Sequence, residues 1–238
     1  MINLTIDDRT VSVEKNATIL QAAEKLNIKI PTLCYNEEMA PIGSCRICVV
    51  EAIKNGESLI VSACNTGVEE GMKVYTKSEK AIEARKFAVK IIYSENPSVK
   101  LIRDLAEEYG VVEDINVRKS ECIHCERCVH ACRDVVGQNA IVLTTCGLSY
   151  GNDAPSLKWD FDKCIACGTC AFVCPTGAVK MHDHDGVRTL LTPESKQDFT
   201  LKKCISCGSY FMPEVQAQYL MKKTELPADK FDQCMNCR

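Results

Sequence analysis

Short stretches of alternating apolar and polar residues dominate the start of the chain. The alternation runs over residues 2–6 and again over 11–13, with an acidic turn between them, which predicts a β-hairpin. A second hairpin is predicted from the apolar runs 49–53 and 59–61, because Asn55-Gly56 between them is typical of a tight two-residue turn.

A short helix and a last strand complete this first pattern. Thr18 is followed three residues later by Gln21, the capping box that begins a helix, and a third short strand-like run lies at 73–76. Strands around one helix predict a β-grasp domain over residues 1–77.

The next segment changes to a helical period. Apolar residues recur at helical spacing over 78–94 and 102–109, and Gly110 is a plausible stop. Asn96-Pro97 predicts the N-cap and first residue of the second helix. We therefore expect a helical linker over 78–117.

The remaining chain is predicted as two parts, 118–191 and 192–238. A hairpin turn is expected at Asp185-Gly186, followed by a polar linker over 192–200 and a helix that begins near Pro213. The whole chain is thus expected to be an α+β protein of four segments.

Cysteine content changes the picture from a simple α+β protein to a metal protein. The chain has 17 cysteines among 238 residues, an odd number, and most lie in C-x2-C units. This favours metal ligation in a reducing compartment such as the cytoplasm over disulfide formation. No secretory signal and no membrane-length apolar run is apparent, and a net charge of −3 without a basic aromatic cluster argues against nucleic acid as the main partner.

Two runs of four cysteines carry the most specific signal. Each reads C-x2-C-x2-C-x3-C, and a proline follows the second run, as in bacterial proteins with two [4Fe–4S] clusters. Because the fourth cysteine of each run ligates the other cluster in such proteins, the predicted ligands cross over. The first cluster is assigned to Cys122, Cys125, Cys128 and Cys174, and the second to Cys132, Cys164, Cys167 and Cys170. A zinc pair does not explain a triple followed by a fourth cysteine.

Four earlier cysteines are spaced C-x10-C-x2-C-x15-C. They are Cys34, Cys45, Cys48 and Cys64. Four thiolates with one C-x2-C pair predict a [2Fe–2S] cluster, with a zinc site as the alternative. Gly43 and Ser44 are expected to let the backbone pass close to the cluster and to direct N–H groups at the sulfurs.

A further four cysteines lie near residue 238 as two C-x2-C pairs, 26 residues apart. They are Cys204, Cys207, Cys234 and Cys237. The spacing is close to a zinc pattern, but Lys203–Gly208 nearly repeats Lys163–Gly168, so a further iron–sulfur cluster stays an alternative.

Residues 1–77, with Pro31-Thr32-Leu33-Cys34 and Gly43-Ser44-Cys45-Arg46-Ile47-Cys48, resemble the N-terminal [2Fe–2S] domain of the cluster-rich subunit of respiratory complex I. The same domain occurs in NAD-linked [NiFe]-hydrogenase diaphorase subunits, iron-only hydrogenases and NAD-dependent formate dehydrogenases. With the two-cluster region, the resemblance covers about three quarters of the chain. One departure is clear: no His or Cys lies between Cys64 and Cys122, so the His-ligated [4Fe–4S] cluster usual in this family is expected to be missing.

The resemblance implies an electron-relay subunit of an oxidoreductase complex, and no catalytic substrate site of its own is apparent in the sequence. The chain has no Gly-rich dinucleotide fingerprint, so NAD(P)H and flavin are expected on a flavoprotein partner in a multi-subunit complex. The shortened form suggests a flavin-based electron-bifurcating transhydrogenase or hydrogenase of an anaerobe, with ferredoxin as a further partner. The alternatives are a relay subunit of an NAD-dependent formate dehydrogenase or hydrogenase and, in another class, a zinc-stabilised interaction protein.

Several remaining residues have weaker interpretations. Phe172 and Val173 are expected either to shield clusters from water or to pack in a core. His124 and His130 flank ligands and are expected to stay outside the ligand sets. Cys146, the unassigned thiol, is interpreted as a small hydrophobic residue.

Overall fold

A computed structural model describes residues 1–112, 120–144 and 156–238. It divides the chain into two compact units, Met1–Glu126 and Arg127–Arg238. Cys146 and the last residues of the predicted helical linker lie outside the described residues.

The first unit is built on a five-stranded sheet with the order β2-β1-β5-β3-β4. Only β1 and β5 pair in parallel; the other neighbours are antiparallel. The elements are β1 (Ile2–Ile6), β2 (Arg9–Val13), α1 (Ile19–Lys25), β3 (Val49–Lys54), β4 (Glu57–Ser62), β5 (Lys73–Tyr75), α2 (Glu79–Glu95) and α3 (Lys100–Glu108). This is the set of strands, first helix and two later helices that the hydrophobic pattern predicts.

Local sequence explains why these elements begin and end where they do. Asn55 and Gly56 adopt φ values of 50° and 84°, which closes the β3–β4 hairpin by the turn expected there. At the start of α1, the Gln21 amide donates to Thr18 Oγ1 at 3.3 Å, and the Thr18 amide donates to Gln21 Oε1 at 2.9 Å. The capping box predicted from the sequence is therefore present.

One prediction in the helical segment is wrong. Asn96 ends α2 as its C-cap, and α3 begins only at Lys100, with Val99 as its N-cap. The Asn96 side chain is buried and donates to the carbonyl oxygens of Ser120 and Cys122, at 2.8 and 3.0 Å. Its contacts lie in a distant part of the sequence, which local capping patterns do not reveal.

The second unit combines short helices with a four-stranded antiparallel sheet of order β11-β10-β9-β8. A separate pair, β6 and β7, is also antiparallel. The elements are α4 (Arg127–His130), a π-helical turn (Ala131–Val136), β6 (Ile141–Leu143), β7 (Leu157–Trp159), α5 (Thr169–Phe172), β8 (Lys180–His184), β9 (Val187–Leu191), β10 (Lys196–Lys203), β11 (Tyr210–Pro213), α6 (Glu214–Thr224) and a 3-10 turn (Ala228–Phe231).

The predicted polar linker over 192–200 is wrong. Most of it belongs to β10, which pairs with β9 and β11, so the expected boundary at 191/192 falls inside a hairpin. Phe199 and Leu201 alternate with polar residues and are buried, 8% and 4% exposed, which is the strand signal that the many charged neighbours obscured. The hairpin turn at Asp185-Gly186 and a helix that follows Pro213 are present as predicted.

Within the part of the chain that the structure describes, no helix has both the length and the apolar character needed to cross a bilayer.

Arg85 fastens α2 to the sheet of the first unit. Its guanidinium is buried and donates to the Val49 carbonyl through Nε and Nη2, at 3.1 and 2.7 Å, and to the Thr76 carbonyl at 2.8 Å. Hydrogen bonds from a charged donor contribute roughly 1.5–3 kcal/mol each, and buried carbonyls left without a donor are costly.

We predict that Arg85→Met lowers the stability of the first unit by about 3 kcal/mol. Thermal unfolding of the anaerobic full-length protein, followed by circular dichroism, should show a lower transition temperature. Arg103→Met is the matched control, because Arg103 is exposed and its Nη2 lies 3.4 Å from the backbone carbonyl oxygens of Pro97 and Ser98, a longer distance than in the hydrogen bonds from Arg85 to backbone carbonyls. Equal transition temperatures for both variants would contradict this role of Arg85.

Candidate metal centres

The pKa values of the four cysteines of the first domain are shifted in two pairs, Cys34 with Cys45 and Cys48 with Cys64. Cys45 bonds to Cys34 and lowers the pKa of Cys34 to about 5, while Cys64 bonds to Cys48 and lowers the pKa of Cys48 to about 7. The pKa values of Cys45 and Cys64 are raised because each serves as the donor of its pair. Two adjacent thiol pairs are what a [2Fe–2S] cluster requires, because each of its two irons binds two protein thiolates.

The loop that carries Cys45 aims its backbone at the Cys34 sulfur. The N–H groups of Ser44 and Cys45 both hydrogen-bond to Cys34, as the sequence predicted for this Gly-Ser segment. Gly43 has a φ of 72°, and a Cβ atom there would clash with the Asn65 side chain. The loop conformation therefore depends on glycine at this position.

One cavity in the described part of the second unit is lined by all four cysteines that the sequence assigns to the second [4Fe–4S] cluster. It measures about 370 Å³, including space open to solvent, and its lining is almost entirely apolar apart from the thiols. The four thiols are Cys132, Cys164, Cys167 and Cys170. Ile141, Trp159 and Leu190 are among the apolar residues that complete the wall.

Hydrogen-bond donors point at three of these sulfurs. The Ala140 amide donates to Cys132 Sγ at 3.3 Å, the Ala166 amide to Cys164 Sγ at 3.4 Å, and the Thr169 hydroxyl lies 3.3 Å from Cys167 Sγ. Burial raises the pKa of the Cys170 thiol to about 12. A bound metal would have to displace thiol protons here, since thiolates are the ligating form.

The four cysteines assigned to the first [4Fe–4S] cluster fall into both compact units, so their assignment stays a prediction. In the first unit, the Cys122 amide donates to Ser120 Oγ at 3.2 Å, and the Ser44 hydroxyl donates to the Cys125 carbonyl at 3.4 Å. In the second unit, Cys128 lies on α4, and Cys174 lies 3.7 Å from the Thr176 hydroxyl.

The two C-x2-C-x2-C turns share a backbone conformation. His124 and Glu126 in the first turn have φ values of 49° and 61°, and Ala166 and Gly168 at the matching positions have 54° and 81°. Successive left- and right-handed residues turn backbone N–H groups toward one side and create an anion-binding concavity. Both turns are therefore shaped to face a negatively charged group.

The last four cysteines are held closest together. All four Sγ atoms, of Cys204, Cys207, Cys234 and Cys237, lie within 4.8 Å of one another. Cys204 accepts a hydrogen bond from the Cys234 amide at 3.3 Å, and such amide donors lower its pKa to about 6. The group can bind a metal ion with four thiolates, as the sequence predicted for these residues.

Some expectations for other residues were wrong or incomplete. Phe172 is 89% exposed and does not shield a cluster, whereas Val173 is buried. Two residues of the second cluster site were missed from the sequence. Trp159, on β7, lines the cavity, and Ala140, just before β6, lines it and donates its amide to Cys132 Sγ. The only Trp of the chain, placed five residues before a ligand run, was the available signal.

Comparisons with known proteins agree with this arrangement. Residues 1–79 match the family described as a 2Fe-2S iron-sulfur cluster binding domain, and residues 157–180 match a 4Fe-4S binding domain. The chain is 33% identical over 205 residues to NADPH-Fe(3+) oxidoreductase subunit alpha of Geobacter sulfurreducens, covering 75% of this chain and 24% of that protein. It is 33% identical over 236 residues to NADP-reducing hydrogenase subunit HndD of Solidesulfovibrio fructosivorans, covering 82% and 39%.

The chain is thus similar to parts of subunits named for NADPH, NADP or NADH oxidoreductases and hydrogenases. A chain in the solved structure of an NAD+-reducing [NiFe]-hydrogenase in the H2-reduced state is 26% identical to this chain, with a TM-score of 0.60. The match covers 74% of this chain and 85% of the hydrogenase chain. The resemblance predicted from the sequence is confirmed. The chain spans only about a quarter of the length of the Geobacter relative, so the activity of the whole relative is not carried over.

We predict that Gly43→Ala impairs [2Fe–2S] binding, because φ of 72° costs a residue with a side chain roughly 1–2 kcal/mol and the new methyl group would displace Asn65. Visible absorption and EPR of the reduced, anaerobically purified protein should show a weaker [2Fe–2S] signal and unchanged [4Fe–4S] signals. Gly67→Ala is the control, because a side chain there meets nothing within 4 Å. A full [2Fe–2S] signal in the Gly43 variant would contradict the prediction.

Proposed function

We propose that the chain is the iron–sulfur electron-transfer subunit of an NAD(P)H-linked oxidoreductase complex. It relays single electrons between a flavoprotein partner and ferredoxin or another redox site. The observation that carries this proposal is the apolar cavity whose walls bring together Cys132, Cys164, Cys167 and Cys170 from two separate runs. Homology to iron–sulfur subunits of hydrogenase and complex I supports it.

The proposed centres are those predicted from the sequence. The arrangement of the cysteines supports two of these centres. The thiol pairs of the first domain suit one [2Fe–2S] cluster, and the cavity of the second unit suits one [4Fe–4S] cluster. We assign the other [4Fe–4S] cluster to Cys122, Cys125, Cys128 and Cys174. Such clusters supply one-electron steps when bound.

The chain's own residues would set where and how readily those steps occur. Hydrogen bonds from Ala140, Ala166 and Thr169 to cluster thiolates stabilise negative charge, which favours the reduced state. The apolar wall that includes Ile141 and Trp159 limits the access of water to the same sulfurs. Hydrogen bonds to the thiolates and exclusion of water both adjust the reduction potential of a cluster, which is what an electron relay requires.

A flavoprotein partner follows from the chemistry that the sequence lacks. NAD(P)H delivers two electrons together, and a flavin is the usual group that splits them into single steps. This chain has no dinucleotide fingerprint, so another subunit would bind NAD(P)H and flavin. We place the complex in the cytoplasm, where thiols remain reduced.

Within this class we propose a flavin-based electron-bifurcating complex of the transhydrogenase or hydrogenase type. Two relatives whose names include NADPH or NADP support this choice, as does the absence of any His or Cys between Cys64 and Cys122. A formate dehydrogenase relay is the second candidate, because a putative formate dehydrogenase of Staphylococcus haemolyticus is 28% identical over 227 residues.

Affinity purification of the tagged full chain from its native host, under anaerobic conditions, tests the proposal. We expect a flavoprotein to co-purify and NADH or NADPH to produce the EPR signals of reduced clusters. A molybdopterin subunit instead of a second flavoprotein would favour the formate dehydrogenase relay. Clusters that dithionite reduces but that neither nucleotide reduces, with no flavoprotein present, would contradict the relay.

Thr169 offers a direct test of tuning at the second [4Fe–4S] site. We predict that Thr169→Val lowers the reduction potential of that cluster, because the variant loses a hydroxyl donor 3.3 Å from Cys167 Sγ. A neutral hydrogen bond is worth about 1 kcal/mol, which corresponds to about 40 mV for one electron. An EPR-monitored redox titration measures the shift.

Thr200→Val is the matched control for this variant, because Thr200 is exposed on β10. It should leave the potentials of all clusters unchanged. Unchanged or raised potentials in the Thr169 variant would show that its hydroxyl does not stabilise the reduced state.

A further inference from the structure

We propose that Cys204, Cys207, Cys234 and Cys237 bind one zinc ion as a mononuclear four-thiolate site, and not a further iron–sulfur cluster. We further propose that the ion fixes the segment 225–238 to strand β10. The site therefore takes no part in electron transfer, because zinc has no redox chemistry.

The distances between the sulfur atoms decide between the two types of centre. The four Sγ atoms lie within 4.8 Å of one another, and those of Cys207 and Cys234 are 3.7 Å apart. A tetrahedral zinc site with Zn–S bonds of about 2.3 Å separates its sulfurs by about 3.8 Å. In a cubane each thiolate binds a different iron, so the four sulfurs must stand wider apart.

The four cysteines of the cavity in the second unit are not held as close together as the C-terminal four. Among the described residues, the C-terminal four are the only group of three or more potential ligands whose binding atoms are all within 4.8 Å. The four cysteines that line the 370 Å³ cavity are not such a group, although the sequence assigns a cubane to them. The sulfur atoms are therefore closer together at the proposed zinc site than at the proposed cluster site, as expected for one ion and one cluster.

The backbone also separates the two sites despite their similar sequences. Lys203–Gly208 nearly repeats Lys163–Gly168, but Ala166 has a φ of 54°, and Ser206 at the matching position does not adopt a positive φ. The turn shared by the two cubane runs is thus not formed at Cys204. The near-repeat in sequence does not extend to the geometry that surrounds a cluster.

The backbone joins the two cysteine pairs before any ion is considered. The Ile205 amide donates to the Asp232 carbonyl at 3.0 Å, and the Cys234 amide donates to Cys204 Sγ at 3.3 Å. Lys202 Nζ lies 2.8 Å from an Asp232 carboxylate oxygen. These contacts connect the end of β10 with the segment after α6. Apart from the 3-10 turn at Ala228–Phe231, that segment forms no helix or strand.

Zinc is preferred over ferrous iron for a physical reason. Both ions accept four thiolates in a tetrahedron, but the same donors bind Zn²⁺ more tightly than Fe²⁺ in the order of first-row metals. Four thiolates and one divalent ion leave a net charge of about −2, and the Cys234 amide, which donates to Cys204 Sγ, partly offsets it.

Metal analysis of the anaerobically purified full chain, after a chelator wash, tests the identity of the ion. We expect about one zinc and about 10 iron per chain, the iron coming from one [2Fe–2S] and two [4Fe–4S] clusters. Zinc-edge X-ray absorption should show four sulfur neighbours at about 2.3 Å. About 14 iron without zinc, about 11 iron with a mononuclear ferric signal, or zinc with nitrogen or oxygen neighbours would each overturn the proposal.

Variants separate this site from the clusters and from the proposed relay function. Cys237→Ser should lose most of the zinc and keep the iron, whereas Cys167→Ser should lose iron and keep the zinc. Ser206→Ala, inside the same C-x2-C pair, is the control and should keep both metals. Retention of zinc by the Cys237 variant would overturn the site, whatever the outcome for electron relay.

Hydrogen exchange measured by mass spectrometry tests the role of the ion. In Cys237→Ser, backbone amides of 228–238 should exchange faster, while those of β8 and β9 should be unchanged. Equal exchange of 228–238 in the variant and the parent protein would show that the ion does not hold this segment.

Discussion

Repulsion between thiolates placed close together is the constraint on which the rest of this structure depends. Two unit charges 4 Å apart repel by about 4 kcal/mol at an effective dielectric constant of about 20. Cys207 and Cys234 are closer than that, at 3.7 Å, and other cysteines are gathered in pairs or around an apolar cavity. Without cations such groups stay partly protonated, and the hydrogen bond between the Cys45 and Cys34 side chains then lowers the pKa of Cys34 and raises that of Cys45.

Short loops, rather than a large hydrophobic core, hold the cysteines close together in this fold. Ligand cysteines lie in tight turns between brief helices and strands, and backbone amides and hydroxyls point at their sulfurs. Elements with extensive packing support the loops. They are the five-stranded sheet with α1 in the first unit and the four-stranded sheet in the second. A chain that is 46% hydrophobic but only 6% aromatic can be built in this way.

Features determined by neighbouring residues could be predicted from the sequence. The hairpin at Asn55-Gly56, the capping box at Thr18 and the helix over α2 follow from local turn chemistry and period, and the structure contains all three. The grouping of the C-terminal cysteines was also predictable, because two C-x2-C pairs have few other ways to be satisfied.

Features determined by distant residues were missed. The local sequence predicts Asn96 as an N-cap, yet its side-chain amide donates to carbonyls more than twenty residues away. The sequence of β10 likewise predicts a linker, because its pairing with β9 and β11 cannot be seen in it. The choice between zinc and a cluster at Cys204 was open in the sequence for the same reason. Spacing along the chain gives the number of thiolates, whereas the distances between sulfurs depend on how the loops are held.

Mössbauer spectroscopy of the chain grown on ⁵⁷Fe tests most directly the claim that the three kinds of thiol arrangement bind three kinds of centre. With one [2Fe–2S] and two [4Fe–4S] clusters, about one fifth of the iron should be of the [2Fe–2S] type and about four fifths of the [4Fe–4S] type. No signal from mononuclear iron is expected. A [2Fe–2S] share near one seventh, as a third cubane would give, or a mononuclear ferric component would show that the C-terminal cysteines bind iron and not zinc.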